Sequence, residues 1–399
     1  MKTLLYTFFI FSFTIQISFS QQLPDLIPYR KGKKWGYCDK NKKIVIPCTY
    51  FSASPFYEGL ARVSSEYKYG FIDTKGKLVI PCKYDWAHSV RDGWIYVESQ
   101  SEKWGNVGGF IDKQGKIKIP MRINMPPVPL PEGESYKFSE GLIGIPWKYK
   151  PFEEYGYRYA NKNGKFIIDT KYQYAQKFNN GYAPVQVKFG QAAYINRQGK
   201  VVFKGNYYTT SPFSEGLARV RPNAKEASDD MRFGFINTKG KLVIPTNYYT
   251  FNDFSEGLVA ITKHGKTAKW GFLDKTGKIA IPFIYDKTFS FLNGLAMVVK
   301  NKKIGFINKK GQVIIPFNFD FDLNYSDTFK GFANNFVPVW KNKKMGFINR
   351  QGKLVVECKY DGFGNIFHDY NNYSQGIALV KQGEKQFYID MQGNEYYED

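Results

Sequence analysis

The chain has 399 residues, of which 18% are aromatic and 37 are glycine, and its formal net charge is +22. This composition is too apolar and too aromatic for a disordered chain. It is typical of many short strands separated by glycine-containing turns. The length would suit two or three ordinary domains, but a repeat array escapes that rule because each unit packs mainly on its neighbours.

The first twenty residues differ from the rest. Lys2 precedes an apolar run over 4–19, and Ser18-Phe19-Ser20 matches a small-x-small cleavage pattern before Gln21. This is typical of a secretory signal peptide at 1–20, and the run is short for a spanning helix of about 20 residues. The mature chain, 21–399, is therefore expected in the periplasm, the outer envelope or the cell exterior, without a transmembrane segment.

The first unit of the mature chain is predicted to be a meander. The pattern indicates a strand over 26–30, a Trp-Gly strand over 35–39 and an aliphatic strand over 44–46 that ends at Pro47. The later Asp-x-x-Gly-Lys phrases predict tight hairpin turns, because Asp or Asn hydrogen-bonds back to the backbone and Gly takes a positive φ. Proline is expected to end the third strand, since it cannot donate to the ladder.

The same phrases recur along the whole chain. Middle-strand glycines, or a substitute, mark ten units, and each unit adds a Gly-Leu-Ala-type first strand. The markers are Gly36, Gly70, Gly109, Gly156, Ala193, Gly234, Gly271, Gly305, Gly346 and Gln386. The fold class predicted is all-β, a tandem array of about ten three-stranded antiparallel meanders. Both faces of the strands carry apolar residues, which indicates that each unit stacks between two neighbours.

The overall arrangement has two alternatives. An open, β-solenoid-like superhelix is favoured, because ten units exceed the usual 4 to 8 blades of a propeller. Whole units at both ends also leave no blade to be shared across a ring closure. Propeller-like rings are the alternative. A proline-rich insertion at 121–134 is a candidate boundary between two sub-arrays.

A second phrase, Phe-x-Glu-Gly-Leu, places a row of acidic residues before glycines. Its members are Glu58, Glu140, Glu215 and Glu256. A calcium or catalytic site is one interpretation. Because Asp92, Asn180, Asn293 and Gln375 occupy the same position in other units, hydrogen bonding to the backbone of the turn explains the row better.

The four cysteines match no zinc-binding spacing. Cys48, Cys82 and Cys358 occupy equivalent positions, and Cys38 lies in a middle strand. They are expected to be small buried hydrophobic residues.

Lysines concentrate in the predicted turns. They either keep the turns and strand edges solvated or align into a basic ridge that attracts polyanions. The candidate binding residues are the repeat aromatics and turn lysines, Trp35, Trp104, Trp270, Lys34, Lys103, Lys269, Lys303 and Lys344.

The sequence Lys-Trp-Gly occurs three times, at 34–36, 103–105 and 269–271. The phrases Asp-x-x-Gly-Lys and Ile-Pro recur in the same repeat. Over nearly the whole mature chain, this resembles the WG-repeat (KWG-repeat) family. The resemblance implies an all-β repeat array, often in exported bacterial proteins, with interaction or binding as the expected role. It supplies no catalytic residues.

Motifs for catalysis are absent from the sequence. His88, His264 and His368 are scattered over different units, and there is no phosphate loop or nucleophile elbow. The chain is predicted to be a non-enzymatic binding or scaffolding protein without cofactor, metal or nucleic acid. A protein partner is favoured, followed by an anionic glycan or envelope polymer. The alternatives are a carbohydrate-binding or carbohydrate-acting protein and a structural spacer without a ligand.

Overall fold

A computed structural model describes most of the chain. The described residues are 23–101, 105–123, 136–148, 155–169, 172, 174–188, 190–222, 232–250, 252–263, 268–321, 331–332, 335–364 and 373–399. They contain 37 strands and no helix, which confirms the all-β prediction. The predicted signal peptide and all prolines of the 121–134 insertion lie outside these residues.

Ten units each contain three antiparallel strands joined by two hairpins. The first strands are β1 (Ile27–Lys31), β5 (Leu60–Ser65), β9 (Trp94–Ser101), β12 (Leu142–Lys148), β16 (Ala183–Lys188), β20 (Leu217–Pro222), β23 (Leu258–Thr262), β27 (Leu295–Lys300), β30 (Phe336–Lys341) and β35 (Ile377–Gln382). The middle strands are β2 (Lys34–Cys38), β6 (Lys68–Asp73), β10 (Gly105–Asp112), β13 (Tyr155–Asn161), β17 (Gln191–Ile195), β21 (Phe233–Asn237), β24 (Trp270–Asp274), β28 (Lys303–Asn308), β31 (Lys344–Asn349) and β36 (Lys385–Asp390). The third strands are β3 (Ile44–Tyr50), β7 (Leu78–Tyr84), β11 (Ile117–Ile123), β14 (Phe166–Asp169), β18 (Val201–Lys204), β22 (Leu242–Tyr248), β25 (Ile279–Tyr285), β29 (Val313–Asp320), β32 (Leu354–Tyr360) and β37 (Glu395–Glu398).

A linking segment, the stretch between a third strand and the next first strand, connects consecutive units. It pairs antiparallel with the first strand of the next unit, as Ser52 does with Ser64. Short strands lie within these segments: β4 (Ser52–Ala53), β8 (Trp86–Ala87), β15 (Tyr174–Ala175), β19 (Tyr207–Thr210), β26 (Lys287–Thr288), β33 (Gly362–Phe363) and β34 (Tyr373–Ser374). Each regular sheet therefore has the linking segment at one edge and the third strand at the other.

The glycine of the middle strand is required by a bulge in the third strand. Between Trp270 and Phe272 of β24, the partner strand advances from Tyr285 to Ile281. The extra residues press the partner backbone onto Gly271, where a Cβ would lie 2.7 Å from the Ile281 carbonyl oxygen. The proline of the phrase lies inside the third strand at this bulge. The expectation that proline ends the strand was wrong, because a bulged residue needs no ladder hydrogen bond.

The second hairpins are Asx turns in all ten units. Asp73 is typical: its Oδ1 accepts hydrogen bonds from the N–H groups of Lys75 and Lys77, both at 2.9 Å. Gly76 then adopts a φ of 82°. The same pair of bonds occurs at the Asp or Asn of every other unit. The predicted turn chemistry is confirmed.

Each sheet is covered on both faces by its neighbours. In the second unit, Leu60 and Phe71 pack into a core shared with the third unit, while Ala61 and Val63 pack into a core shared with the first. Every other consecutive pair shares a core in the same way. The third and fourth units do so too, although the 121–134 insertion separates them in sequence.

The first and tenth units also pack together, so the array closes into a ring. Tyr388 of the tenth unit lies in the core that contains Trp35 of the first. Strand β37 pairs in parallel with β1, and Arg30 forms an ion pair with Asp399 at 3.4 Å. This corrects the preference for an open superhelix in favour of the ring-like alternative. No blade is shared across the closure. In later units a linking segment pairs with the free edge of the first strand, and at β1 strand β37 takes that place.

Replacing Gly277 with Val should lower the free energy of unfolding by about 1–3 kcal/mol. Gly277 has a φ of 84°, and a Cβ there would lie 3.4 Å from Ile244 Cγ1 of the preceding unit. Urea denaturation checks this. Gly277→Asn is the control and should lose less, because Asn tolerates a positive φ. Equal stability of Gly277→Val and wild type would contradict the turn geometry.

Ring closure predicts an energetic coupling between Trp35 and Tyr388, whose ring centroids lie 5.9 Å apart in an edge-on arrangement. A double-mutant cycle with Trp35→Leu and Tyr388→Leu should give a coupling energy of about 0.5–1.5 kcal/mol. The control cycle pairs Trp35→Leu with Phe291→Leu, which lies in the core of the seventh and eighth units, and should give none. Zero coupling in both cycles would indicate that the ring is open in solution.

Candidate interaction surface

The two hairpins of each unit lie at opposite ends of its middle strand, so the ring has two rims. The described turns between first and middle strands form one, here called the hairpin rim. The Asx turns form the other, the Asx rim, at 39–43, 73–77, 112–116, 161–165, 196–200, 237–241, 274–278, 308–312, 349–353 and 390–394.

Of the lysines predicted as binding residues, those that the structure describes lie at the hairpin rim, at or just before the start of middle strands. Lys303 contacts Asp320 at 2.5 Å, and Lys344 with Asp361 and Lys269 with Asp286 repeat this ion pair. In each case the aspartate is the last residue of the third strand of the same unit or the residue directly after it.

The same aspartates bind the next hairpin. Asp320 Oδ2 accepts a hydrogen bond from the N–H of Asn342 at 3.0 Å, and Asp286 Oδ2 accepts one from Asn301 at 2.6 Å. The hydrogen bond from Lys269 holds the pKa of Asp286 below its usual value. These lysines therefore have a structural contact that joins neighbouring units, and their role in binding stays a prediction.

The two described tryptophans of the prediction, Trp35 and Trp270, pack on the core rather than lie on a rim. Trp35 is buried in the core of the first, second and tenth units, and the half-buried Trp270 packs against the core of the seventh and eighth. The Lys34 ammonium lies 3.6 Å from the ring centroid of Phe51. Lys103 and Trp104 lie outside the described residues.

The acidic row joins one turn to the next at the Asx rim. Glu58 accepts a hydrogen bond from the N–H of Gly93 at 2.9 Å, and Glu140, Glu215 and Glu256 bond to the equivalent glycines of the following units. At the ring closure, Gln375 Nε2 donates to the Phe56 carbonyl at 2.9 Å. The structural explanation of this row agrees with its geometry.

The electrostatics of Glu215 agree with this role. Burial raises its pKa, but hydrogen bonds from Lys275 and Gly257 outweigh burial, and the net pKa lies below the usual value. The carboxylate therefore remains charged where it holds the adjacent turn.

The Asx rim is strongly basic. Nine of its ten turns carry two or three Lys or Arg residues, and the tenth carries none. Some reach back to the acidic row, as when Lys113 donates to the Glu58 carbonyl at 3.0 Å. The lysine that ends a turn is exposed in eight units: Lys43, Lys77, Lys116, Lys165, Lys200, Lys241, Lys278 and Lys353.

Exposed aliphatic side chains directly follow seven of these eight lysines; Lys165 is the exception, and the eighth aliphatic residue, Val313, follows a glutamine. The first residue of the third strand is aliphatic and between 37% and 58% exposed in eight units: Ile44, Leu78, Ile117, Val201, Leu242, Ile279, Val313 and Leu354. One exposed aliphatic residue is ordinary. The same exposure repeated around one rim is typical of an interaction surface. The recurring Gly-Lys-aliphatic tripeptide could have identified this surface from the sequence. The sequence alone, however, does not distinguish an exposed aliphatic strand residue from a buried one.

The cysteines are all free thiols. Cys38 is fully buried, and burial raises its pKa to about 12. Cys48, Cys82 and Cys358 are half-buried, and burial raises the pKa of each. Within the described ranges, no three His, Cys, Asp or Glu residues are grouped in a way that could hold a metal ion. No helix there is long and apolar enough to cross a membrane.

One protein-family model matches most of the chain. The model described as a WG containing repeat matches eight stretches: 35–69, 69–104, 157–188, 193–225, 233–266, 270–303, 304–344 and 345–385. The chain belongs to the WG-repeat family. Strand β1, the middle strand β10 and nearly all of the tenth middle strand β36 lie outside these matches and belong to the same array.

Several solved structures are similar to the ring. A eukaryotic initiation factor aligns with a TM-score of 0.49 at 9% identity over 82% of this chain and 94% of that one. BamB from Moraxella catarrhalis aligns with a TM-score of 0.37 at 9% identity, over 75% and 91%. AztD from Citrobacter koseri aligns with a TM-score of 0.34 at 11% identity, over 86% and 92%. No curated protein sequence matches the chain.

If the Lys269–Asp286 contact is structural, its contribution should depend on pH. Because the folded-state pKa of Asp286 is lowered, its charged form stabilises the fold above the unfolded pKa of about 4, and this is lost as pH falls through the folded pKa. Asp286→Asn should therefore lower the unfolding free energy at pH 7 by at most about 1 kcal/mol. Urea denaturation at pH 7 and pH 3 should show that the difference from wild type is smaller at pH 3, where part of the Asp286 carboxylate is protonated. A difference that is equally large at both pH values would contradict the ion-pair explanation.

Proposed function

We propose that this chain is an exported, non-enzymatic binding and scaffolding protein that docks an acidic partner protein of the cell envelope on its Asx rim. The observation that carries the proposal is the repeated pairing of an exposed lysine with an exposed aliphatic side chain, as in Lys278 and Ile279. Export is supported by the apolar run and cleavage pattern at 1–20.

The mixed chemistry of the rim favours a protein partner. A polyanionic glycan would neutralise the lysines but leave aliphatic residues such as Ile117 and Ile279 in water. A protein surface with acidic and apolar side chains would contact both. Burial of apolar area contributes about 25 cal/mol per Å², and the lysines add steering and specificity. A standard interface of about 800 Å² per partner would span several neighbouring units.

The scaffold role is supported by how the repeats are joined. The acidic row, the Lys–Asp pairs and the shared cores connect each unit to the next, and the first and tenth units complete the ring. Such a ring fixes the position of each Asx turn relative to its neighbours. Most carboxylates of the repeat phrases are engaged in these contacts, which favours binding over catalysis.

The proposal is tested by capture from an envelope extract with mature protein at low and high salt. The variant combines Lys241→Glu, Leu242→Ser, Lys278→Glu and Ile279→Ser on the Asx rim. The matched control combines Lys33→Glu and Tyr67→Ser on the hairpin rim, where Tyr67 is 91% exposed. We expect a protein retained at high salt that the Asx-rim variant loses by tenfold or more and the control retains.

Three other outcomes oppose the proposal. A partner that is lost as salt rises, but is retained by a variant with only Leu242→Ser and Ile279→Ser, would identify a polyanion held by lysines. A partner lost equally by both variants would place binding elsewhere. Recovery of nothing at either salt would favour the structural spacer.

A further inference from the structure

A cavity of about 620 Å³ lies at the edge of the ring formed by the linking segments. Its wall comes from the linking segments of the fifth, sixth and seventh units, which contribute Tyr174, Tyr208 and Asp253. The first and middle strands of the sixth unit add Arg219 and Phe233. Ligand pockets typically have volumes of about 300–1,000 Å³.

The seventh linking segment departs from its neighbours where it forms this wall. Tyr249 pairs with Thr262, and four residues separate it from Phe254 of the Phe-x-Glu-Gly phrase. In the next unit only three residues separate the equivalent Lys287 from Phe291. The second, third, fifth and sixth units also have three. The cavity therefore coincides with a one-residue insertion.

In the same segment, a carboxylate lies beside a largely buried guanidinium group. Arg219 Nε lies 3.8 Å from Asp253 Oδ1, and the Ser211 hydroxyl donates to the same oxygen at 2.9 Å. Arg219 also donates to the Thr250 carbonyl at 3.3 Å, and its guanidinium lies 5.1 Å from the Phe233 ring centroid. These contacts hold both charged groups in fixed positions at the wall.

Arg62 occupies the equivalent position in the second unit and shows what the insertion changes. It is 1% exposed, donates to the Ala87 carbonyl and lies between the rings of Tyr69 and Trp86, at 5.6 and 5.4 Å. The Arg219 side chain is 18% exposed and lines the cavity. The same repeat position is thus closed in one unit and open to a ligand in the other.

The remaining wall combines aromatic rings with planar amides. Tyr174 is 38% exposed, and Gln176, Gln186 and Asn179 also line the cavity. Amides both donate and accept hydrogen bonds, guanidinium only donates and carboxylate only accepts. A sugar matches this set, because its hydroxyl groups donate and accept around the edge while its C–H face is apolar and packs on an aromatic ring.

We propose that this cavity binds a mono- or disaccharide, with Tyr174 against its apolar face and Asp253 and Arg219 bonded to neighbouring hydroxyl groups. The site goes beyond the proposed docking function, because it lies on the linking-segment edge and not on the Asx rim. Among the described lining residues Asp253 is the one carboxylate, whereas glycoside hydrolysis ordinarily uses two. The site therefore binds a sugar without cleaving it.

The test is calorimetric titration of the full mature protein with glucose, galactose, mannose, N-acetylglucosamine, glucuronic acid and the β-1,4-linked disaccharides of glucose and N-acetylglucosamine. Saturable binding of at least one sugar is expected. Tyr174→Ala and Asp253→Asn should each weaken it by tenfold or more. Asn keeps the size of Asp and an oxygen that can accept from Ser211. Tyr67→Ala, an exposed tyrosine of the hairpin rim, is the matched control and should bind as wild type does.

Preference for a neutral sugar or for glucuronic acid would each support the site, and the latter would add Lys177 of the wall to the recognition of the carboxylate. The proposal is overturned if no sugar in the panel gives saturable binding. It is also overturned if binding survives both substitutions unchanged in variants whose thermal unfolding matches wild type. Glycine serves as a further probe: binding of this zwitterion in place of sugars would show that the Arg219–Asp253 pair recognises an amino acid.

Discussion

The close approach of a bulged third strand to the glycine of the middle strand is the constraint on which the ring depends. At Gly36, Gly234 and Gly271 a Cβ would lie 2.4 to 2.7 Å from the carbonyl oxygen of the partner isoleucine, so no side chain fits. The bulge bends the third strand and increases its twist. The bent strand then continues into the linking segment that pairs with the next unit. Glycine and Ile-Pro are therefore two parts of one contact, and this contact explains why they occur together.

The polar residues of the repeat complete the connections that the bulge begins. Asp or Asn closes each second hairpin, the Lys–Asp pair joins a unit to the next hairpin, and the glutamate row joins successive turns. Each bond is modest by itself, since a typical intramolecular hydrogen bond contributes about 0.5–1.5 kcal/mol. Repetition around a closed ring makes them collectively decisive for geometry. The residues that look most like a functional motif in the sequence are thus largely committed to the scaffold.

The surfaces left for recognition are those where the repeat either exposes its apolar residues or departs from its pattern. The Asx rim is of the first kind, because the edge strand begins there with an exposed aliphatic residue beside a lysine. The cavity beside Arg219 and Asp253 is of the second kind, because it lies where the seventh linking segment has one inserted residue. The two surfaces differ in chemistry, one extended and basic and the other concave and mixed, and they occupy different edges of the ring.

The sequence by itself determined the elements that depend on neighbouring residues. The ten meanders, the Asx turns and the stacking of sheets followed from alternation, Asp-x-x-Gly and the repeat period, because hairpins are local. It also favoured a structural role for the glutamate row, since Asp, Asn and Gln occupy the same position in other units. Only the tertiary structure decided that proline lies within the third strand, that Trp35 is buried, and that Lys303 and Lys344 bind aspartates 17 residues away. It also decided the closure of the ring by Arg30, Tyr388 and Asp399 and the meeting of Arg219 with Asp253. These features depend on the rotation from each unit to the next. The rotations add up over the whole array, and no single repeat sequence determines their sum.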